Sequence, residues 1–412
     1  MYQKFFLICL SKRNNVADFF INKLPTFSIL HNHNIKGMEE KLLEGSLKIP
    51  IGVLIPALYS DLSGKAMKNI IHILKSIDFV KRIYICLDQA NREEYKRALK
   101  ISEPLKEKAV VIWNDSPKVR EVIREIEKEL VVGIRGKGNA VWTGLGYVIA
   151  KGEISALAFH DADILTYDKE FLIRLLFPIV HLRFQFSKGY YVRYGARFYG
   201  RVTRLFYFPF IRTLKDIFGY SDYLDYMGDF RYPLSGEFAI FVSQARMIQF
   251  PCDWGIEVGI LGEIYRNITV NRICQVEITS RYDHKHQPVG GSSEKGLYKM
   301  ASDIARTIFT LMSSNGIIIS RDAFHAIRHA YLKNAREFVR YYESYVSMYD
   351  GIEYNLHNEL KTVDIFAQSI DDAISCFYDD PKGSPMIPDW KRVESAVGDV
   401  FEKLIAAVEN PL

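Results

Sequence analysis

ISALAFHDAD, residues 154–163, decides the fold of this chain, because a short apolar run ends abruptly in two carboxylates. The run predicts a buried strand over Ile154–Phe159, with Asp161-Ala162-Asp163 directly past its carboxyl end. Similar runs occur earlier in the chain and predict three further strands: Ile49–Pro56, Arg82–Leu87 and Ala109–Trp113.

Helical patterns separate these predicted strands. Lys65–Ser76 and Pro117–Leu130 have apolar residues at helical spacing, and another helix follows the glycine-rich basic loop 133–138 and runs to Ala150. Alternating strands and helices predict an α/β fold, with a mostly parallel sheet and flanking helices on both faces. Ligands bind such sheets beyond the carboxyl ends of the strands, where polar residues follow all four strands here: Tyr59-Ser60-Asp61, Asp88, Asn114-Asp115 and Asp161-Ala162-Asp163.

The alternation of strands and helices ends after about Asp168, and the rest of the chain does not repeat it. A more irregular part follows, and the pattern then becomes mainly helical, broken at 380–385. We therefore divide the chain into an N-terminal extension (1–45), an α/β half (46–180), a second half (181–316) and a helical C-terminal region (317–412).

Positive charge is concentrated in one segment of a chain whose net charge is only +5. Arg183–Lys215 holds eight Lys or Arg residues and no Asp or Glu. This run indicates a phosphate or carboxylate ligand, a solvated helix face, or, with its interleaved aromatics, single-stranded nucleic acid. Because the rest of the chain has no matching basic excess, we expect no nucleic-acid partner.

Cysteine content and hydropathy bear on location. The five cysteines show no metal-binding spacing and no disulfide framework, which favours a reducing, cytoplasmic compartment. The apolar run Phe5–Leu10 is shorter than the hydrophobic core of a signal peptide, and no stretch approaches the roughly 20 apolar residues of a membrane span. We expect a cytoplasmic protein without a membrane span.

Three motifs carry possible chemistry. Asp161-Ala162-Asp163 can hold a hard divalent cation, although most isolated Asp-x-Asp sequences are solvated loops or caps. Gly136-Lys137-Gly138 permits close backbone approach and adds a positive charge, but it also fits a plain helix start. Tyr282–His286 contributes histidines, which are common metal ligands and equally common surface residues. Neither a Walker loop nor GxGxxG is present, which argues against a dinucleotide oxidoreductase.

Taken together, the motifs resemble the glucosyl-3-phosphoglycerate synthases, which are retaining glycosyltransferases with a GT-A fold. The resemblance runs from about Ile51 to Gly316. It rests on the order and spacing of short pieces: Leu54-Ile55-Pro56-Ala57-Leu58, Gly136-Lys137-Gly138, Asp161-Ala162-Asp163, Gly200-Arg201-Val202-Thr203, Pro233-Leu234-Ser235-Gly236-Glu237-Phe238-Ala239, Gly255-Ile256-Glu257-Val258-Gly259 and the loop with His284.

The resemblance implies a role for each matching position. The metal ion, Mg²⁺ or Mn²⁺, would be held by Asp163 and His284, and Glu257 and Asp163 would be the catalytic residues. The donor would be bound by Pro56, Ala57, Leu58, Asp61, Lys137, Asp161, Ala162, Leu234 and Gly236. The acceptor would be bound by Gly200, Arg201, Thr203 and His286.

The implied reaction is transfer of glucose from UDP-glucose to 3-phosphoglycerate with retention of configuration, in the synthesis of a glucosylglycerate-type compatible solute. The α/β half 46–180 would bind the nucleotide sugar, and 181–316 the acceptor. We interpret the helical region 317–412 as a structural element that forms a homodimer. Mannosyl transfer from GDP-mannose to the same or a related acidic acceptor stays open, since glucose and mannose differ in the configuration of one hydroxyl.

Overall fold

The computed structural model describes residues 19–133, 135–283, 291–380 and 386–412. The strands are β1 (Phe20–Ile21), β2 (Leu24–Phe27), β3 (Ile51–Leu58), β4 (Val80–Asp88), β5 (Ala109–Trp113), β6 (Ala156–Phe159), β7 (Phe186–Tyr190), β8 (Phe238–Phe241), β9 (Phe250–Pro251), β10 (Ile273–Glu277) and β11 (Met386–Ile387). Within the described ranges, nine of them form one sheet in the order β1-β2-β10-β7-β8-β6-β3-β4-β5, and β9 pairs with β11.

Helices lie between and after the strands. They are α1 (Ile35–Ser46), α2 (Tyr59–Leu62), α3 (Lys65–Lys75), α4 (Arg92–Ser102), α5 (Pro117–Glu129), α6 (Lys137–Lys151), α7 (Lys169–His181), α8 (Phe208–Phe218), α9 (Asp222–Asp229), α10 (Val242–Ala245), α11 (Ile256–Asn267), α12 (Gly291–Ser314), α13 (Arg321–Val346), α14 (Leu356–Asp379), α15 (Trp390–Ala396) and α16 (Val400–Glu409). Short 3₁₀ turns cover Glu103–Lys108 and Val270–Arg272, and a π-helix covers Val202–Tyr207. None of the described helices has both the length and the apolar character that crossing a bilayer requires.

The four strands predicted from the sequence are confirmed. β3, β4, β5 and β6 begin and end within two residues of the predicted bounds. They pair in parallel, because each connection between them returns through a helix. The carboxyl ends of β3 and β6 therefore meet at one edge of the sheet.

The second half adds strands that the sequence analysis did not assign. β8 runs antiparallel to both of its neighbours, β6 and β7. These strands are only four or five residues long, and β7 includes Ser187, Lys188 and Gly189, so it lacks the continuous apolar run that identified the first four. β2, from the predicted N-terminal extension, pairs in parallel with β10.

Two hydrophobic cores cover the two faces of the sheet. Along β3, Val53 and Ile55 pack into one core with α3 and α7, whereas Leu54 packs into the other with α5 and α6. The second core continues into the C-terminal helices through Phe366 and Trp390. Successive side chains of a strand point to opposite faces, which explains how one apolar run serves both cores.

Local sequence signals set the ends of the helices beside the site. Ser116 caps α5, because its hydroxyl accepts a hydrogen bond from the Val119 amide at 3.3 Å, and Pro117 occupies the first helical position. Gly152 follows the last residue of α6 and ends that helix in the left-handed conformation, with φ +61°.

Candidate functional site

A cleft of about 360 Å³ opens at the carboxyl ends of β3 and β6. It brings together most of the predicted donor-binding residues, from three separate parts of the sequence. Its lining consists of Pro56, Ala57, Leu58, Asp61, Asp88, Gln89, Lys137, Ala140, Asp161, Ala162, Asp163 and Trp254. This position, past the strand ends of a mostly parallel sheet, is where α/β folds bind their ligands.

Lys137 begins α6 and places its ammonium group between two carboxylates. Its Nζ lies 2.8 Å from Oδ1 of Asp161 and 3.3 Å from Oε1 of Glu257, and the side chain is 35% exposed. Burial alone would lower the pKa of Lys137, but the attraction of Asp161 and Glu257 outweighs it and holds the pKa above its ordinary value. The lysine is therefore a fixed positive charge in the cleft.

The two glycines that flank Lys137 are explained by packing. A Cβ on Gly136 would overlap the carbonyl oxygen of Cys252, and a Cβ on Gly138 would overlap that of Pro251. The glycines therefore let the helix start pass close to residues 251–252, and Lys137 lines the cleft. Its contact with the donor stays a prediction.

Asp161 and Asp163 present carboxylates to the cleft from the end of β6. A Cβ on Gly236 would lie 2.8 Å from Oδ2 of Asp161, so glycine lets the chain pass this close to the carboxylate. Carboxylate oxygens are the donors that Mg²⁺ and Mn²⁺ take, usually one or two, together with substrate phosphate oxygens. The pair fits such an ion, although no group of three or more candidate ligands occurs among the described residues.

The two predicted histidines, His284 and His286, lie outside the described residues. Their roles as a metal ligand and an acceptor contact stay predictions. Leu234 is partly buried against the main hydrophobic core, and its contact with the donor sugar also stays a prediction.

Glu257 occupies the first turn of α11, 16% exposed, beside Lys137. The same loop contributes Trp254, which is about half exposed and lines the cleft. By itself the stretch Asp253–Glu257, two carboxylates around a tryptophan, favours a structural role, and a functional role for Glu257 comes only from the resemblance.

A buried polar layer beneath the cleft was missed by sequence reasoning. Glu237 is fully buried and accepts hydrogen bonds from the hydroxyls of Tyr191 and Tyr282, at 2.9 and 2.8 Å, whose rings stack 3.6 Å apart. Burial and the nearby Asp161 raise the pKa of Glu237 to about 7. Lys188, also buried, donates to the Ser235 carbonyl, and burial lowers its pKa to about 8.

Arg135 links two of the strand-end carboxylates identified in the sequence. It forms ion pairs with Asp88 at 2.8 Å and with Asp115. The carboxylates were visible as polar residues after β4 and β5, but their partner lies in the basic loop before α6, and only the fold shows the pairing.

The predicted acceptor segment lines a second cavity, which shares no lining residue with the donor cleft. Arg201 lines this cavity of about 290 Å³ with Arg197 and Arg204. Thr203 is 4% exposed, within the π-helix. Every residue of Val202–Tyr207 is buried, so this part of the basic segment is not a solvated helix face.

A chain of aromatic contacts joins the acceptor segment to the donor cleft. A Cβ on Gly200, whose φ is +70°, would lie 2.9 Å from the Tyr232 hydroxyl. Tyr232 packs on Tyr191, with ring centroids 4.6 Å apart, and Tyr191 binds Glu237 beneath the cleft.

The fold and this site define a class of protein. Glucosyl-3-phosphoglycerate synthase from Mycobacterium tuberculosis, solved with Mn²⁺, UDP-glucose and phosphoglyceric acid, aligns with a TM-score of 0.52 at 22% identity, over 72% of this chain and 89% of that one. Mannosyl-3-phosphoglycerate synthase from Rubrobacter xylanophilus aligns with a TM-score of 0.55 at 15% identity, over 74% and 86%. The chain has the GT-A fold that these glycosyltransferases share.

Sequence comparison identifies the family. The chain is 41% identical to the glucosyl-3-phosphoglycerate synthase of Persephonella marina, over 96% of this chain and 99% of that protein. It is 38% identical to the enzyme of the same name from Methanococcoides burtonii, over 89% and 92%. No family model matches the chain. The chain belongs to the glucosyl-3-phosphoglycerate synthase family, as the motif resemblance indicated.

Proposed function

We propose that this chain transfers glucose from UDP-glucose to 3-phosphoglycerate with retention of configuration. The observation that carries the proposal is the match to the Persephonella marina synthase along almost the whole of both chains. The cleft supports it independently, because it gathers a lysine, four aspartates and an apolar strand end in one place.

In this proposal the donor lies along the cleft. Pro56, Ala57 and Leu58 line the uridine pocket, with Asp61 near the ribose, and Lys137 meets the diphosphate. Asp163 and His284 hold a Mg²⁺ or Mn²⁺ ion, which would neutralise charge on the diphosphate when bound.

The chemical step follows from how charge develops as the bond between the sugar and the diphosphate breaks. Negative charge grows on the departing diphosphate, and Lys137 stabilises the transition state because its ammonium is already in place. Glu257 lies beside Lys137 and stabilises the positive charge that develops on the sugar. The acceptor hydroxyl attacks from the side that the diphosphate leaves, and a diphosphate oxygen takes its proton, so no enzyme nucleophile is required.

Incubation of the purified protein with UDP-glucose and 3-phosphoglycerate tests the proposal. UDP release should require the acceptor, and it should stop when EDTA removes the divalent cation. Asp163→Ala should abolish release while its circular dichroism spectrum stays unchanged, and full activity of this variant would contradict the metal assignment.

Donor choice needs its own comparison. GDP-mannose should support transfer far less well than UDP-glucose in parallel reactions with the same acceptor. Equal or faster transfer from GDP-mannose would replace the glucosyl proposal with the mannosyl one, while leaving the fold and the metal site unaffected.

We further propose that the protein is a cytoplasmic homodimer. The buried thiols of Cys86 and Cys274 suit a reducing compartment. In the helical region 317–412, Tyr341 and Tyr345 are exposed on α13 and could contact a second copy of the chain. Light scattering should give twice the mass of the chain, and a monomer mass would refute the dimer.

A further inference from the structure

A carboxylate from the C-terminal region forms hydrogen bonds with two arginines of the predicted acceptor segment. Glu359, in the first turn of α14, is 5% exposed. Its Oε1 accepts a hydrogen bond from Nε of Arg201 at 3.1 Å, and its Oε2 accepts one from Nη2 of Arg204 at 2.9 Å. One buried side chain thus bridges two arginines that are three residues apart.

Arg204 is the fixed member of this group. It donates to the carbonyl oxygens of Tyr199 at 2.9 Å and Phe198 at 3.3 Å, and its guanidinium lies 4.5 Å from the ring centroid of Tyr342. With only 7% of its surface exposed, Arg204 is built into the core. It therefore holds the carboxylate of Glu359 in one position.

Arg201 is the more accessible member. Its side chain is 28% exposed and lines the cavity of about 290 Å³. The contact with Glu359 uses Nε, which leaves the two terminal nitrogens as the donors for an anion in that cavity. A guanidinium binds phosphate or carboxylate best through two parallel hydrogen bonds, so its orientation decides the affinity.

We propose that Glu359 is a positioning residue for the acceptor: it fixes Arg201 so that the terminal nitrogens meet the anionic group of 3-phosphoglycerate. The inference rests on the proposed function and deepens it. It assigns part of the acceptor site to a helix in which the sequence shows no chemical motif. A freely rotating arginine would have to be ordered each time the acceptor binds, which weakens binding.

Glu359→Gln tests this role, with Glu337→Gln as the matched control. Glu337 lies on α13 and pairs with another arginine of the basic segment, Arg212, at 3.0 Å, but it does not line the cavity. In Glu359→Gln we expect the KM for 3-phosphoglycerate to rise about tenfold, equivalent to about 1.4 kcal/mol. The KM for UDP-glucose and the kcat at saturating acceptor should stay within about threefold, and the control should match the wild type.

Three outcomes would overturn the inference. A lower KM for 3-phosphoglycerate in Glu359→Gln would mean that the carboxylate repels the acceptor, and an equal rise in both KM values would mean a general structural defect. If the glutamine variant does not fold, Glu359→Asp keeps the charge but is one methylene too short to bridge both arginines, and it should show the same selective effect. The wild type is measured first: no transfer there refutes the proposed function, whereas an active wild type with an unchanged variant refutes only the role of Glu359.

Discussion

Replacing Lys137 with methionine should slow glucosyl transfer while leaving the protein folded. The substitution keeps most of the length of the side chain and removes its charge. In the structure this charge lies 2.8 Å from Asp161 and 3.3 Å from Glu257. Without it, two carboxylates remain beside the position proposed for the diphosphate, where negative charge grows during the reaction.

The size of the effect follows from that geometry. Two opposite unit charges about 4 Å apart near a protein surface attract by about 4 kcal/mol. Removing one preorganised donor from a developing negative charge typically lowers kcat by roughly 10² to 10³, or about 2.7–4 kcal/mol. Because the Lys137 side chain is 35% exposed, water replaces part of the lost interaction, and we expect a loss of about 100-fold.

The assay is UDP release at saturating UDP-glucose and 3-phosphoglycerate. Lys151→Met is the matched control, since Lys151 ends the same helix, does not line the cleft, and pairs with Glu409 at 2.9 Å. The control should keep the wild-type kcat. A kcat for Lys137→Met within about fivefold of wild type, in a folded protein, would refute the role assigned to this lysine.

Two further predictions concern the stability of the fold. Gly146→Ala should destabilise the protein by about 1–3 kcal/mol in urea unfolding, because its Cβ would overlap the Trp390 ring; Gly296→Ala, at a helical glycine in open space, should be neutral or stabilising. Burial, partly offset by the hydrogen bond from Asn22, raises the pKa of Asp229 from 3.8 to about 6. Between these two pKa values the folded state binds more protons than the unfolded state, so the free energy of unfolding falls as pH rises through this window. Asp229→Asn should therefore raise the free energy of unfolding by up to roughly 3 kcal/mol at pH 8, but by almost nothing at pH 3. An equal effect of Asp229→Asn on stability at both pH values would refute the raised pKa of Asp229.

Most of the predicted donor-binding residues line one cleft, and the sequence could bring them together because each part of the pattern is local. An apolar strand followed by carboxylates, and a glycine-rich loop before a helix, are visible within ten residues. Parallel pairing then brings the strand ends together without further information. Asp161 and Lys137 met in the structure for that reason.

The polar layer beneath the cleft could not be predicted from local sequence patterns. Glu237 depends on two tyrosines from distant segments, 191 and 282, which meet only because β7 and β10 are neighbours in the sheet. A lone Lys188 within a strand also gives no hint of burial, since lysine is rarely buried without partners. The signal that could have found them is the polar interruption of otherwise apolar strands.

The C-terminal region shows most clearly what a motif search omits. Trp142 of α6 and Trp390 stack 4.3 Å apart, and each indole nitrogen donates to a backbone carbonyl, Trp142 to Pro388 and Trp390 to Trp142. Residues near the end of the chain thus pack against the helix that begins at Lys137. In the same way, Glu359 holds Arg201 through a hydrogen bond. Helix α6, which begins at Lys137, and the side chain of Arg201 both contact C-terminal segments that carry no chemical motif. Because such segments act through packing, the sequence shows them only as apolar helices, and their contribution to the site becomes visible only in the folded protein.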